Sequence, residues 1–311
     1  MAMSPYYYLG VDILIITLQT LSIIGNGFVI SLFIIFKRLR QNMSLRLLLL
    51  LCCSDWVFAV LALPYTVYYV VGWNQIMFDY NAIIISLTGS AFILAYKVNL
   101  IVTIAIAVDR LQAMRMPVYY RRKSQMCYVW MTLFIGLAWG AADTVSMIIM
   151  TPLNVHIYNC AAMGCFQAND FRAYWGISNM FLNVIAMLLT IWVAHELSGF
   201  KRKNSVTLGI REQKQLTQAN RLSFGILLIS MLFLLIPSTF VGVIDLMKLE
   251  IFKKIGPFYI IGLLLAGVLN SVVYITLHAE LRKAANALCS GKLVMESSTA
   301  VSPTTNAYST F

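Results

Sequence analysis

Val108–Tyr120 reads VDRLQAMRMPVYY, and the fold of the chain hangs on how this stretch is read. It closes a long apolar run, and the basic cluster Arg121-Arg122-Lys123 follows it. Asp109-Arg110 is therefore an acid–base pair at a boundary between an apolar segment and water. The arginine cannot lose its proton, so it needs partners wherever it is buried. The adjacent carboxylate is one such partner, and breaking the pair is a ready switch. Pro117 ends the helix, because proline lacks the N–H and restrains the residue before it.

Outward from this stretch the chain is apolar almost throughout. It is 60% hydrophobic and 11% charged over 311 residues, with a mean hydropathy of +0.79. Soluble domains run near 45–50% apolar and about 25% charged. At roughly 20 residues per crossing, seven apolar runs emerge, near 11–36, 46–72, 81–108, 127–151, 173–198, 222–247 and 256–278. None shows the alternation of a strand barrel, so the expected fold is an all-α, polytopic seven-helix membrane bundle.

The net charge of +11 suggests nucleic acid only until its distribution is read. Lys37, Arg38, Arg40 and Arg46 flank the first link; Arg110, Arg115, Arg121, Arg122 and Lys123 lie at the third. Lys201, Arg202, Lys203, Arg211, Lys214 and Arg221 fill the fifth, and Arg282, Lys283 and Lys292 follow the last run. The alternate links hold only Arg172, Lys248, Lys253 and Lys254. The positive-inside rule then places the N-terminus outside and the C-terminus in the cytosol. No cleaved signal peptide is expected. Asn42-Met43-Ser44 matches a glycosylation acceptor but falls on the cytosolic side.

Several polar residues interrupt the runs. An intramembrane carboxylate is by default a functional-site hypothesis, and Asp55 is one. Asn26 is a buried amide that needs a partner across helices. Asn99 lies eleven residues before Arg110, nearly on the same helical face, and should point into the bundle toward Asp55. Lys97 lies about 140° from that face at mid-depth and needs a carboxylate or a water-filled cavity. Asp143, one turn beyond Trp139, should come to the same level, so a Lys97–Asp143 ion pair is expected. Such a pair either holds helices three and four in register or leaves Lys97 free to meet an acidic ligand. Phe92 and Tyr96 share the inward face of the third run.

Asp109, Arg110, Ala113, Pro117 and Tyr120 stand at the spacing of D-R-Y-x-A-x-x-x-P-x-x-Y. This resembles the end of the third helix of rhodopsin-like G-protein-coupled receptors, with Leu111 in place of the tyrosine. Gly25-Asn26, Leu51 with Asp55, Pro237, and Asn270-Ser271-Val272-Val273-Tyr274 resemble that family's landmarks in helices one, two, six and seven. Leu281-Arg282 resembles the start of its short eighth helix. Departures at Ile85, Leu235 and Ser271 are most similar to the divergent nematode serpentine chemosensory receptors. The expected organisation is a short outer N-terminus at 1–10, a receptor domain with helix eight at 11–290 and a disordered cytosolic tail at 291–311.

The resemblance implies the function, the site and a location in the plasma membrane. An extracellular small-molecule or peptide ligand is expected near Phe92, Tyr96, Lys97 and Asp143. Phe92 stands where amine receptors carry an aspartate, which argues against a biogenic-amine ligand, and Leu264 stands where opsins carry their retinal-binding lysine, which argues against an opsin. Asp109, Arg110, Pro117, Tyr120 and Tyr274 would form the switch to a heterotrimeric G protein. Asn26, Asp55, Asn99 and Asn270 would cluster at mid-membrane, holding either a sodium ion or an ion-free hydrogen-bond network. Ile85 takes the place of the family's bridging cysteine; Cys160 and Cys165, the two cysteines placed outside, either bridge each other or stand free. Cys289 is a palmitoylation candidate or a free thiol. Ser297, Ser298, Thr299, Ser302, Thr304 and Thr305 offer phosphorylation sites for a partner such as arrestin. No phosphate loop, metal cluster or nucleophile–base pair points to an enzyme. The competing class is a small transporter, on the strength of Lys97, Asp55 and Asp143; against it stand seven non-repeating helices with no broken pair.

Overall fold

The computed structural model of the chain describes residues 5–77, 79–122, 124–151, 158, 160, 162–203, 210–239 and 258–290. Seven helices are long and apolar enough to cross a membrane. Helices one to seven run Pro5–Ile35, Met43–Val71, Ala82–Arg115, Gln125–Met150, Asn169–Ser198, Thr217–Thr239 and Tyr259–Leu277. Helix eight follows at Ala279–Cys289. The described residues hold no strand, only an isolated bridge between Asp79 and Tyr158. The all-α seven-helix bundle expected from hydropathy is the fold of this multi-pass membrane protein. The tail from 291 on, with its candidate phosphorylation sites, and positions 240–257 lie outside the described residues.

Helical backbone satisfies its own groups along each span, as lipid requires, except at the ends and at the Pro237 break in helix six. Side chains close the free amides at several starts: Asn81 accepts from the amides of Ile83 and Ile84 at helix three, Ser124 from Cys127 at helix four, and His278 from Leu281 at helix eight. Helix two breaks at Ala62, and Pro64 opens its second segment, where a missing N–H costs little.

The ends differ from the hydropathy estimate. Helix one begins at Pro5, not 11, because its first turn is tied down: Trp73 Nε1 donates to the Pro5 carbonyl at 3.1 Å, and Tyr6 lies 5.6 Å from the Trp73 ring. Helix three continues past 108 to Arg115. Asp109 and Arg110 are buried against each other, so the charges that end an apolar window do not end the helix. Helix five begins at Asn169, and its helical backbone runs to Lys203, beyond both expected bounds.

Helix three is the most buried span and packs against helices two, four and five. Helix four reaches it through Gly136 and Gly140, at the small-xxx-small spacing that lets membrane helices approach closely. A Cβ on Gly140 would stand 2.9 Å from the Leu94 carbonyl oxygen, and one on Gly136 3.2 Å from the Val98 Cα. Helix six carries a π-turn at Met231–Leu235 just before Pro237. Pro237 has no N–H for the carbonyl of Phe233, and that carbonyl faces Gly262 of helix seven, where a Cβ would stand 2.5 Å from the oxygen. Glycine is required there by this approach.

The apolar interior falls into two layers. One gathers Ile15, Phe58, Tyr65, Ile85, Phe92, Trp175 and Leu264 on the N-terminal side. The other gathers Val29, Leu48, Leu51, Val102, Leu222, Ile226 and Leu281 on the opposite side. Buried polar residues lie at their junction.

Candidate functional site

At the far end of helix three, Asp109 and Arg110 are each 2% exposed. One guanidinium nitrogen of Arg110, Nη2, donates to Asp109 Oδ2 and, at 3.0 Å, to the Tyr120 hydroxyl. That hydroxyl donates in turn to Asp109 Oδ2 at 3.3 Å. The three groups close a triangle. The chain breaks helix at Met116, and Pro117 opens the short helix Pro117–Arg122. This turn brings Tyr120 back under Arg110, whose Cζ lies 5.9 Å from the tyrosine ring centre. Burial is the main reason the Tyr120 phenol stays above its ordinary pKa, with the Asp109 carboxylate adding to it. It therefore remains a donor.

Tyr274 is buried nearby and donates to the Leu48 carbonyl at 2.7 Å, tying helix seven to helix two. Arg115 meets Glu196 at 2.5 Å and covers Trp192 at 4.7 Å, tying helix three to helix five.

At the junction of the two layers, Asp55 accepts from Asn99 at 2.9 Å and from Asn270 at 3.2 Å. Helices two, three and seven are thereby joined. Asn26 does not touch Asp55. It donates to the Gly267 carbonyl at 3.2 Å and to Ser22, and its own amide oxygen accepts from Cys52 Sγ. A Cβ on Gly267 would lie 3.3 Å from Asp55, so Asn26 neighbours the cluster through helix seven. The amide oxygens of Asn99 and Asn270 are buried without a partner among the described residues. Oxygen atoms of this kind beside a carboxylate are the ligands a hard cation such as sodium takes.

The four residues expected in one ligand pocket divide into two groups. Phe92 and Tyr96 join Trp175 and Tyr259 in an aromatic cluster with ring centres 5.4–6.4 Å apart. Asn183 lies beneath, donating to Tyr96 at 3.3 Å and to Ser238 of helix six at 2.6 Å. Lys97 and Asp143 face the other way, into the seam of helices three, four and five. Lys97 Nζ lies 3.1 Å from Asp143 Oδ2, 2.6 Å from Asn179 Oδ1 and 3.2 Å from Ser178 Oγ, with the Trp139 ring at 5.1 Å. Tyr174 donates to the other Asp143 oxygen at 3.0 Å. Lys97 follows Tyr96 directly, so one helical step of about 100° separates the two environments. Lys97 links helix three to helices four and five, donating to Asn179 and Ser178 and facing Asp143 Oδ2 as an ion pair.

Cys160 and Cys165 are bridged within the loop before helix five. The loop reaches helix three by packing: a Cβ on Gly89 would meet the Met163 side chain at 2.7 Å, and Ile85 is fully buried. Cys289 is an exposed free thiol at the end of helix eight.

Sequence reasoning passed over several of these residues. Trp175 and Tyr259 are aromatic residues in apolar runs, and only tertiary packing turns them toward Phe92. Gly136 and Gly140 carried a legible signal in their spacing. So did Asp12, Gln19 and Asn26, seven residues apart along helix one and all buried; that spacing puts polar groups on one face at two-turn intervals.

A comparison with curated proteins finds no match. The model of the serpentine type 7TM GPCR chemoreceptor Srbc family matches residues 5–280, from the first turn of helix one into helix eight. This is a receptor family and not an enzyme family; a transporter is not favoured, and coupling of a ligand to a G protein follows in general terms. With seven apolar helices and the match over nearly all the described chain, the protein belongs to the serpentine type 7TM GPCR chemoreceptor Srbc family.

Proposed function

We propose that the receptor sits in the plasma membrane with its N-terminus outside and takes a small molecule at the cluster of Phe92, Tyr96, Trp175 and Tyr259. The signal then passes to a heterotrimeric G protein at the Asp109–Arg110–Tyr120 end. The observation that carries this reading is the closed triangle of these three residues. It holds a permanently charged guanidinium against one carboxylate and one phenol, a buried arrangement with a distinct open alternative. Ligand binding favours the open state, in which helix six swings at the Phe233–Pro237 break and Arg110 is released toward the G protein. Tyr274 leaves Leu48 and turns inward. Three buried rings, Phe92, Tyr96 and Trp175, with the partly buried Tyr259 beside them, suit a small molecule better than a peptide.

Asp55, Asn99 and Asn270 would hold a sodium ion in the resting state, which would supply a positive charge at the carboxylate. Phosphorylation of the tail recruits arrestin, and Cys289 takes a palmitoyl chain beside the membrane. In cells expressing the receptor, a panel of small molecules with a broad second-messenger readout tests the central reading. A ligand should drive guanine-nucleotide exchange, and Trp175→Ala or Tyr96→Ala should weaken its potency. A ligand that is taken up and accumulated, with no exchange on any G protein, would remove the signalling reading.

A further inference from the structure

Helix one carries Asp12 two turns below its start, on the face that packs against helices two and seven. The residue is only 4% exposed, and its Oδ2 has no hydrogen-bond partner among the described residues. Carboxylates are rarely buried without a cation or a full set of donors, because the charge loses its water. No lysine or arginine occurs between residues 5 and 36 or between 47 and 96, nor between 258 and 281. Those stretches supply helix one, helix two, the outer part of helix three and helix seven. Lys248, Lys253 and Lys254 of the following outer loop lie outside the described residues. Arg172 is directed to the Gly164 carbonyl at 3.3 Å.

What surrounds Asp12 instead is aromatic. Tyr65, Tyr69 and Tyr80 all lie within electrostatic reach of its carboxylate. Their rings form a continuous chain, with centres 4.9 Å apart from Tyr65 to Tyr69 and 4.7 Å from Tyr69 to Tyr80. The tilt between neighbours is 66° and 59°, so the ring faces point in different directions and do not stack flat. Tyr80 is fixed by donating to the Tyr69 carbonyl at 3.0 Å.

A carboxylate without a basic partner among the described residues, beside several tyrosine rings, is the chemistry that recognises an organic ammonium. The carboxylate supplies the charge, and the negative ring faces attract the alkyl groups that carry the positive potential. We infer that Asp12, with Tyr65, Tyr69 and Tyr80, forms an outer subsite for the cationic head of an ammonium ligand. A bare metal ion fits less well, since the site offers one carboxylate beside tyrosine rings. The subsite depends on the proposed orientation only for the side from which the ammonium arrives.

Thermal unfolding of the full-length receptor in lipid nanodiscs tests this without a G protein. Tetramethylammonium chloride is titrated against sodium chloride of equal ionic strength and against tert-butanol, a neutral molecule of similar shape. The wild type should gain melting temperature with tetramethylammonium in a saturable way and with neither control. Asp12→Asn should lose that gain, and Tyr69→Leu should raise the half-saturating concentration about tenfold. Asp12→Glu, which keeps the charge, should bind with altered affinity and covers the case in which Asp12→Asn does not express. The triple variant Lys248→Ala, Lys253→Ala, Lys254→Ala should respond as the wild type does. No gain in the wild type, or an equal gain in Asp12→Asn, overturns the subsite. A gain confined to the triple variant also overturns it, because Asp12 would then be engaged by the loop lysines. Signalling is read separately by nucleotide exchange, so failure of either reading leaves the other measurable.

Discussion

Lys97 and Asp143 meet at 3.1 Å with both side chains wholly shielded, between helices held together by Gly136 and Gly140. Removing one partner leaves an uncompensated buried charge, at a cost of about 3–5 kcal/mol. Lys97→Ala or Asp143→Ala should therefore lose most surface expression. The exchange of Lys97→Asp with Asp143→Lys should restore both expression and ligand response, since Lys97 is engaged by Asn179, Ser178 and Asp143 on helices four and five. Recovery of expression without response would point to a ligand contact. Normal expression of both single variants would show that the pair contributes nothing.

Removing the Tyr120 hydroxyl should loosen the triangle without opening it. Tyr120→Phe keeps the ring beside Arg110 and deletes two hydrogen bonds. A loss of about 1 kcal/mol from the resting state multiplies the active population roughly fivefold. Basal second-messenger output, normalised to surface receptor, measures this; output at or below the wild-type level contradicts it.

Gly140→Leu should prevent assembly of helix four against helix three, because even a Cβ would press on the Leu94 carbonyl. Gly140→Ala should cost about 1–3 kcal/mol, as overpacking does. Gly10→Ala serves as the control, since a Cβ at Gly10 meets nothing within 4 Å. Melting temperatures in detergent should fall for Gly140→Ala and stay level for Gly10→Ala. Equal melting of the two would mean that the close approach is dispensable.

Helix eight should be pH-sensitive at its start. The His278 ring accepts from the Leu281 amide at 3.4 Å, which needs a neutral nitrogen. Burial holds its pKa below the ordinary 6.5, against the opposing pull of Glu280. The unfolded segment therefore binds more protons in this range. Capping stability is complete above about 6.5 and declines as the pH falls from there toward the lowered folded value. Hydrogen-exchange protection at Leu281, corrected for the intrinsic rate, should drop between pH 7.5 and 5.5 in the wild type. It should change less in His278→Asn, which keeps a capping side chain without the titration. Equal pH dependence in both would exclude His278 as its source.

Periodicity made much of this arrangement legible. Eleven residues separate Asn99 from Arg110, nearly whole turns, and both side chains face the bundle interior as that spacing requires. The 140° offset of Lys97 directed it to helices four and five, where its partners are. What one helix's period does not encode is the rotation of its neighbours. Trp175 and Tyr259 reach Phe92 and Tyr96 only because helices five and seven turn those faces inward. Adjacent positions also part company, so Tyr96 and Lys97, one step apart, serve different surroundings. Hydropathy misplaced the helix ends for a related reason: it scores Asp109 and Arg110 as two charges, whereas in place they neutralise each other. Asp12 went unnoticed because a single carboxylate near the start of an apolar run reads as interfacial until its burial is known.

Constitutive nucleotide exchange gives the most direct test of the account, because it needs no ligand. Purified receptor and heterotrimeric G protein are mixed in nanodiscs, and the rate of guanine-nucleotide exchange is compared among the wild type, Asp109→Asn, and Asp109→Asn combined with Arg110→Ala. Asp109→Asn should raise the basal rate well above the wild type, since Arg110 loses its carboxylate partner. Adding Arg110→Ala should return the rate to that of the G protein alone. An Asp109→Asn rate no higher than the wild type, or a double variant as active as Asp109→Asn, would contradict the claim that Arg110 is the group released to the G protein.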